Sequence, residues 1–198
     1  MLLQVSSGLY ERYGKAITNF SQTLPSVQSD LAQAAFKDPY HFWFLDVVGK
    51  RNELEIERQP TEKISDFLLE MGKGFAFIGR QYHLAVANDD YYVDLLMYHT
   101  KLHCYVIIEL KAVEFIPEFV SKLNFYISAV DDTLKSENDN PTIGLLLFRT
   151  KDNVKAEYAL RGMTQPLGIA EYDMEKFYNQ VKSSLPSVEE LENSVEDL

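Results

Sequence analysis

Apolar and polar positions change period several times along the chain, and each change marks an element. From Phe75 to Ala112 the sequence reads FAFIGRQYHLAVANDDYYVDLLMYHTKLHCYVIIELKA. Its aromatic and β-branched content predicts three consecutive strands, about Phe75–Val86, Tyr91–His99 and His103–Ala112. Asn88-Asp89-Asp90 and Thr100-Lys101-Leu102 are short enough for hairpins, so this part is an antiparallel meander. TIGLLLFRT (142–150) and PLGIAEY (166–172) predict two further strands. Leu54, Ile64, Phe67, Leu68 and Met71 form a helical stripe from about Glu53 to Met71, ended by Gly72 and Gly74. Pro60 should kink or split that helix, because it removes a backbone donor. Pro117 opens a second helix to about Leu134, with Phe119, Leu123, Tyr126, Ile127 and Val130 on its apolar side. VKAEYALRG (154–162) reads as a short helix and DMEKFYNQVKSSLP as a closing one.

The beginning is less regular. Leu9, Tyr13, Ile17 and Phe20 recur with weak helical spacing. LPSVQSDLA reads as an extended linker leading to a helix start capped by Ser29 or Asp30. Lys37-Asp38-Pro39 marks a turn, and Tyr40, Phe42, Trp43 and Phe44 then suggest an aromatic segment packed on the main body. Helix, three-strand meander, helix, strand, helix, strand predicts an α/β fold in which a mixed sheet is flanked by helices.

The third meander strand carries charge where a covered strand should be apolar. Strand side chains alternate, so Glu109 and Lys111 share a face with Tyr105 and Ile107, opposite Cys104, Val106, Ile108 and Leu110. Apolar residues on both faces mark a central strand. Asp94 interrupts the neighbouring strand, and a turn at Thr100–Lys101 places it opposite Glu109, with β-carbons about 5 Å apart. Two carboxylates so close repel each other. A divalent cation between them removes the repulsion, and hard oxygens suit Mg²⁺ or Mn²⁺. A structural ion pair with Lys111 is the other solution, and physics alone leaves both open.

Composition narrows the alternatives. The chain has 198 residues, 46% of them hydrophobic, which fits one sizeable globular domain with appendages. No apolar run approaches the roughly 18 residues of a membrane span, and the beginning lacks the cationic start of a signal peptide. The single cysteine, Cys104, lies in a predicted central strand and suits a reducing cytoplasm. The net charge is −11, and the final twelve residues hold five acids and no base. Broad attraction to nucleic acid across the whole surface is thus excluded, although a local basic groove is not. His99 and His103 straddle a predicted turn with His41 and His83 far off, so no zinc pattern forms. GKGFAFIG opens a strand rather than a helix, which excludes a phosphate-cradling loop.

Asp94, followed fifteen residues later by Glu109-Leu110-Lys111 at the end of an apolar strand, resembles the PD-(D/E)xK nuclease superfamily. LLEMGKGFAFIGRQYHL, YYVDLLMYH, CYVIIELKA and NPTIGLLLFRTKDNVKAEYAL resemble more closely the YhcG-like family of bacterial proteins, over about Leu31 to Tyr172. The resemblance implies a restriction-endonuclease-like fold and Mg²⁺- or Mn²⁺-dependent hydrolysis of nucleic acid, DNA before RNA. It makes Asp94 and Glu109 metal ligands, with the Leu110 carbonyl beside them, and Lys111 the catalytic lysine. Glu57 would match a helix carboxylate found in many superfamily members. Gln81 matches the family's GRQ. Lys122 and Tyr126 have the spacing of a Gln-x-x-x-Tyr pair, with Lys in place of Gln. The resemblance further implies that residues 1–30 are the remnant of an N-terminal helical domain and linker, residues 31–186 the nuclease-like domain and residues 187–198 a loose acidic tail. A homo-oligomer, or a separate or missing N-terminal DNA-binding domain, is compatible with it. So is a nuclease fold kept for binding or assembly without turnover.

Overall fold

The structure is a computed structural model that describes residues 14–42 and 64–173. The expectations for Leu9 and Tyr13, for Trp43 and Phe44, for the helix ahead of Ile64 with Glu57 and Pro60, and for the closing helix and acidic tail lie outside these residues. Among the described residues the elements are β1 (Gly14–Lys15), β2 (Ile17–Thr18), α1 (Phe20–Thr23), α2 (Ser26–Ala35), β3 (Lys37–Asp38) and β4 (Tyr40–His41). They continue with α3 (Ile64–Met71), β5 (Phe75–Val86), β6 (Asp89–His99), β7 (Cys104–Glu114), α4 (Glu118–Thr133), β8 (Ile143–Thr150), α5 (Asn153–Leu160) and β9 (Leu167–Asp173).

The main sheet runs β2-β9-β8-β7-β6-β5, with β4 added beside β9. Strands β5, β6 and β7 form the expected antiparallel meander, whereas β7, β8 and β9 lie parallel. The change of direction at β7 follows from the connections. Hairpins join the meander, but α4 and α5 return the chain to the same end of the sheet before β8 and β9. The expected α/β architecture, a mixed sheet with an antiparallel meander flanked by helices, is the observed one.

Strand alternation divides the core into two layers. Leu95, Met97, Val106, Ile108 and Leu147 face the layer of α1, α2 and α3. Leu96, Ile107, Leu146 and Ile169 face α4 and α5. Cys104 is buried in the first layer, where burial pushes its thiol up to about 12 and leaves it an inert packing residue. Tyr40 and Phe42 are fully buried in that layer, Phe42 stacking on Phe67 at 5.3 Å. These two members of the aromatic segment serve packing, as expected. No helix among the described residues is long and apolar enough to cross a membrane.

The N-terminal elements depart from their sequence reading. Residues 14–23 do not continue a weak helix; they form β1, β2 and one helical turn. Ile17 and Thr18 pair antiparallel with Ile169 and Gly168. Backbone groups on the edge of β9 thus satisfy those of β2, a tertiary gain that outweighs weak local periodicity. Nor is LPSVQSDLA an extended linker. Helix α2 begins at Ser26 behind Pro25, so neither Ser29 nor Asp30 caps it. Proline suits a helix start because the donor it lacks would be unpaired there anyway. The first hairpin is tighter than expected, with Ala87 and Asn88 alone between the strands.

Asn19 fastens this segment. Its buried side-chain amide donates to the Gln165 carbonyl at 2.9 Å, and its oxygen accepts from the Leu167 amide at 2.8 Å. Asn19→Ala would leave the buried Leu167 amide without this partner and free the half-buried Gln165 carbonyl. The variant should lose about 1–3 kcal/mol of unfolding free energy, measured by urea denaturation against the parent chain.

Candidate active site

The β6–β7 ladder pairs Leu95 with Ile108 through His99 with Cys104, which sets Asp94 and Glu109 next in register. Beyond Leu95 the carboxylates take over the role of the ladder. The Asp94 amide donates to Glu109 Oε1 at 3.1 Å, and the Leu110 amide donates to Asp94 Oδ2 at 3.0 Å. On the other side of β6 the paired positions step from Arg80–Leu95 to Tyr82–Val93, passing over Gln81 and Asp94. Gln81 has φ 42°, a left-handed conformation that costs a non-glycine residue about 1–3 kcal/mol. Its side-chain amide reaches Asp94 Oδ1 at 3.3 Å. Asp94 thus sits where both neighbouring strands release the backbone of β6.

Lys111 closes the cluster. Its Nζ lies 3.4 Å from Asp94 Oδ2 and 3.2 Å from Glu109 Oε2, and 5.7 Å from the centre of the Phe119 ring on α4. Asp94, Glu109 and Lys111 are all buried, Glu109 to 1% exposure. All three occupy the sheet face under α4, as the strand alternation requires. From that helix the half-exposed Lys122 brings its Nζ to 4.0 Å from Glu109 Oε2 and 5.3 Å from the Tyr126 ring centre. Lys122 and Tyr126 share one face because they are four residues apart.

Burial, and then the neighbouring Asp94 carboxylate, pushes Glu109 up to about 7; Lys111, the Asp94 amide and Lys122 oppose that rise. Burial works to lower the Lys122 ammonium's pKa, but Glu109 and the Tyr126 hydroxyl outweigh it and hold that pKa above its ordinary value. Burial also raises the Tyr126 phenol, against the pull of Lys122.

The structure therefore brings Asp94, Glu109, Lys111, Gln81, Lys122 and Tyr126 together, while Glu57 lies outside the described residues. One observation bears on a cation. Glu109 Oε2 is buried and accepts no aligned hydrogen bond among the described residues, although two ammonium groups stand near it. An acceptor in that state, beside a second carboxylate, fits a hard divalent ion. No group of three or more His, Cys, Asp or Glu gathers for a metal among the described residues. Two carboxylates leave most of a coordination shell to water and substrate oxygens, which is how Mg²⁺ is commonly held.

Sequence reasoning found the carboxylate pair and the lysine but missed two neighbours on the same face, Tyr91 and Phe125. Their rings meet at 4.8 Å beside Tyr126. The available signal for Phe125 was its helical offset from Lys122, three residues on. Tyr91, at an odd offset from Asp94, reaches this face through the irregular pairing at Gln81 and Asp94, which strand alternation does not announce.

Known proteins share this arrangement of sequence. A family model described as the YhcG PDDEXK nuclease domain matches residues 33–186. A relative from Escherichia coli (strain K12), named provisionally as the nuclease YhcG, is 32% identical over 176 residues, covering 87% of this chain and 47% of the relative. The chain thus spans about half the length of that curated relative. Among solved structures, a repair endonuclease from Pyrococcus abyssi is 16% identical with a TM-score of 0.39, covering 64% of this chain and 48% of that one. EndoMS in complex with double-stranded DNA is 17% identical with a TM-score of 0.41, covering 59% and 45%.

Because Glu109 binds its proton more tightly when folded, the native state takes up protons between the ordinary 4.5 and about 7, and stability from this group falls as pH rises through that window. Glu109→Gln should remove the fall. Relative to the parent, the variant should gain about 1–3 kcal/mol between pH 4.5 and 7.5, read from urea unfolding at a series of pH values. A site kept only as a structural ion pair would instead lose stability on the same substitution at every pH.

Proposed function

Since the chain belongs to the family of YhcG PDDEXK nuclease domains, we propose that it hydrolyses phosphodiester bonds of nucleic acid, DNA before RNA, with a divalent metal ion. The observation that carries the metal-dependent reading is the buried trio of Asp94, Glu109 and Lys111 on one sheet face. Asp94 and Glu109 would hold Mg²⁺ or Mn²⁺, which when bound supplies Lewis acidity toward a phosphoryl oxygen. Gln81 and the Leu110 amide fix the Asp94 carboxylate, so its orientation is set before substrate arrives. Lys111 carries a fixed positive charge to the point where negative charge grows on the phosphate, and it can orient the attacking water. Lys122 offsets the charge of Glu109 from the helix side. Glu57 is assigned the helix-carboxylate role by family resemblance alone, as is the choice of DNA. We take residues 31–186 as the nuclease unit, acting in the cytoplasm, and join to it the stretch from residue 14, because β2 pairs with β9 and Phe20 lies in the same core.

A second reading has its own support. Lys111 already stands within 3.4 Å of both carboxylates, so the trio is neutralised in part without a metal. A nuclease fold retained for binding or assembly would keep such a cluster.

Two measurements separate the readings. Plasmid and single-stranded DNA should be cut with Mg²⁺ or Mn²⁺, and Asp94→Ala or Lys111→Ala should each lower the rate by about a hundredfold or more. Mn²⁺ should also raise the thermal midpoint of the parent chain, by the equivalent of about 2.7 kcal/mol at a hundred times its Kd, and leave Asp94→Ala unmoved. Cleavage that survives both substitutions would end the catalytic assignment. An absent Mn²⁺ shift together with absent cleavage would favour the binding module.

A further inference from the structure

Helix α4 is apolar toward the sheet, and Val120, Leu123, Ile127 and Val130 are fully buried there. Phe125 is not. It keeps 37% of its surface in water, although its ring packs on Tyr91 at 4.8 Å and on Tyr126 at 6.0 Å. Tyr91 is itself half-buried, and only Tyr126 at the back of the group is covered, at 3% exposure. The three rings therefore form a ledge with a closed inner end and an open outer end.

The inner end adjoins the candidate centre. Lys122 lies 5.3 Å from the Tyr126 ring centre and 4.0 Å from Glu109 Oε2. Tyr91 packs on the α4 side of the sheet with Val93 and Leu96, the face that also carries the trio. A strand whose phosphate lies at Asp94, Glu109 and Lys111, with the Lys122 ammonium alongside, would carry the adjoining base toward the ledge. Charge sharpens the point. At a net −11 the chain as a whole repels a polyanion, so phosphate contacts alone are a weak source of affinity. Stacking does not depend on net charge and tolerates any base, because every base has a π-face. Paired bases inside a duplex hide those faces. A ledge of this kind thus selects a base that is out of the stack.

We propose that the Tyr91–Phe125 ledge binds an unpaired base next to the scissile phosphate, so that the substrate class is a single strand or a locally opened duplex. The inference rests on the nuclease reading above for the position of the phosphate.

The test uses equilibrium binding to the full chain, in EDTA at one fixed salt concentration, followed by fluorescence anisotropy. The ligands are a labelled mixed-sequence single strand, the matching duplex, and a strand of equal length whose sugars carry no bases. The parent chain should bind the single strand roughly tenfold or more tightly than the abasic strand. Phe125→Ala should remove most of that margin while leaving abasic affinity within about twofold, and Phe125→Trp should retain it. The comparison of ligands on the parent chain stands even where a variant folds poorly. Equal binding of the base-bearing and abasic strands overturns the proposal, as does a Phe125→Ala loss that is the same on all three ligands. Cleavage without base preference removes the ledge and leaves the nuclease reading. Base preference without cleavage in Mg²⁺ or Mn²⁺ does the reverse, and an absence of nucleic-acid binding removes both.

Discussion

Two carboxylates and an ammonium share one dry layer of the sheet, and the local architecture is arranged around keeping them there. Isolated charges at this depth cost several kcal/mol each, roughly, so every neighbour must contribute. Backbone amides do part of this: the Asp94 amide turns to Glu109 and the Leu110 amide turns to Asp94, where a regular ladder would pair main chain with main chain. Lys111 supplies the nearest opposite charge, and Lys122 a second from the helix. Glu109 still holds its proton far more tightly than a free carboxyl.

This constraint explains why the sheet is irregular where it is. Gln81 adopts a left-handed backbone and the pairing of β5 with β6 passes over it. The paired positions also shift between Phe77 and Gly79. Irregularity re-aims side chains that a flat ladder would direct at fixed intervals. Here it lets a glutamine of β5 reach Asp94.

Much of this was legible in the residues. Period-two alternation assigned Glu109 and Lys111 to one face, and hairpin length put Asp94 opposite Glu109; both depend only on strand geometry. The apolar stripe of α4 was equally plain, because a buried helix face repeats every three or four residues. What escaped had non-local causes. Ile17 and Thr18 become strand only because β9 offers an edge, and nothing near them in sequence records that edge. Helix α2 was hidden by reading Pro25 as a linker residue when it starts the helix. The turn of Gln81 and the exposure of Phe125 depend on which side chains arrive from elsewhere, so spacing alone could not announce them.

The pairing of β2 with β9 bears on how the chain assembles. The meander joins strands that follow one another, so its contacts form between near neighbours and can appear early. The edge beside β9 closes only when the segment around Ile17 meets Ile169, in the last described strand. On a ribosome the early partner would leave the exit tunnel long before the late one is made. Ile17 and Thr18 would then wait for their partner strand, while Phe20 can already pack on Phe36 and Phe36 on Phe75. Lingering of this kind is where a chaperone would most readily engage the nascent protein.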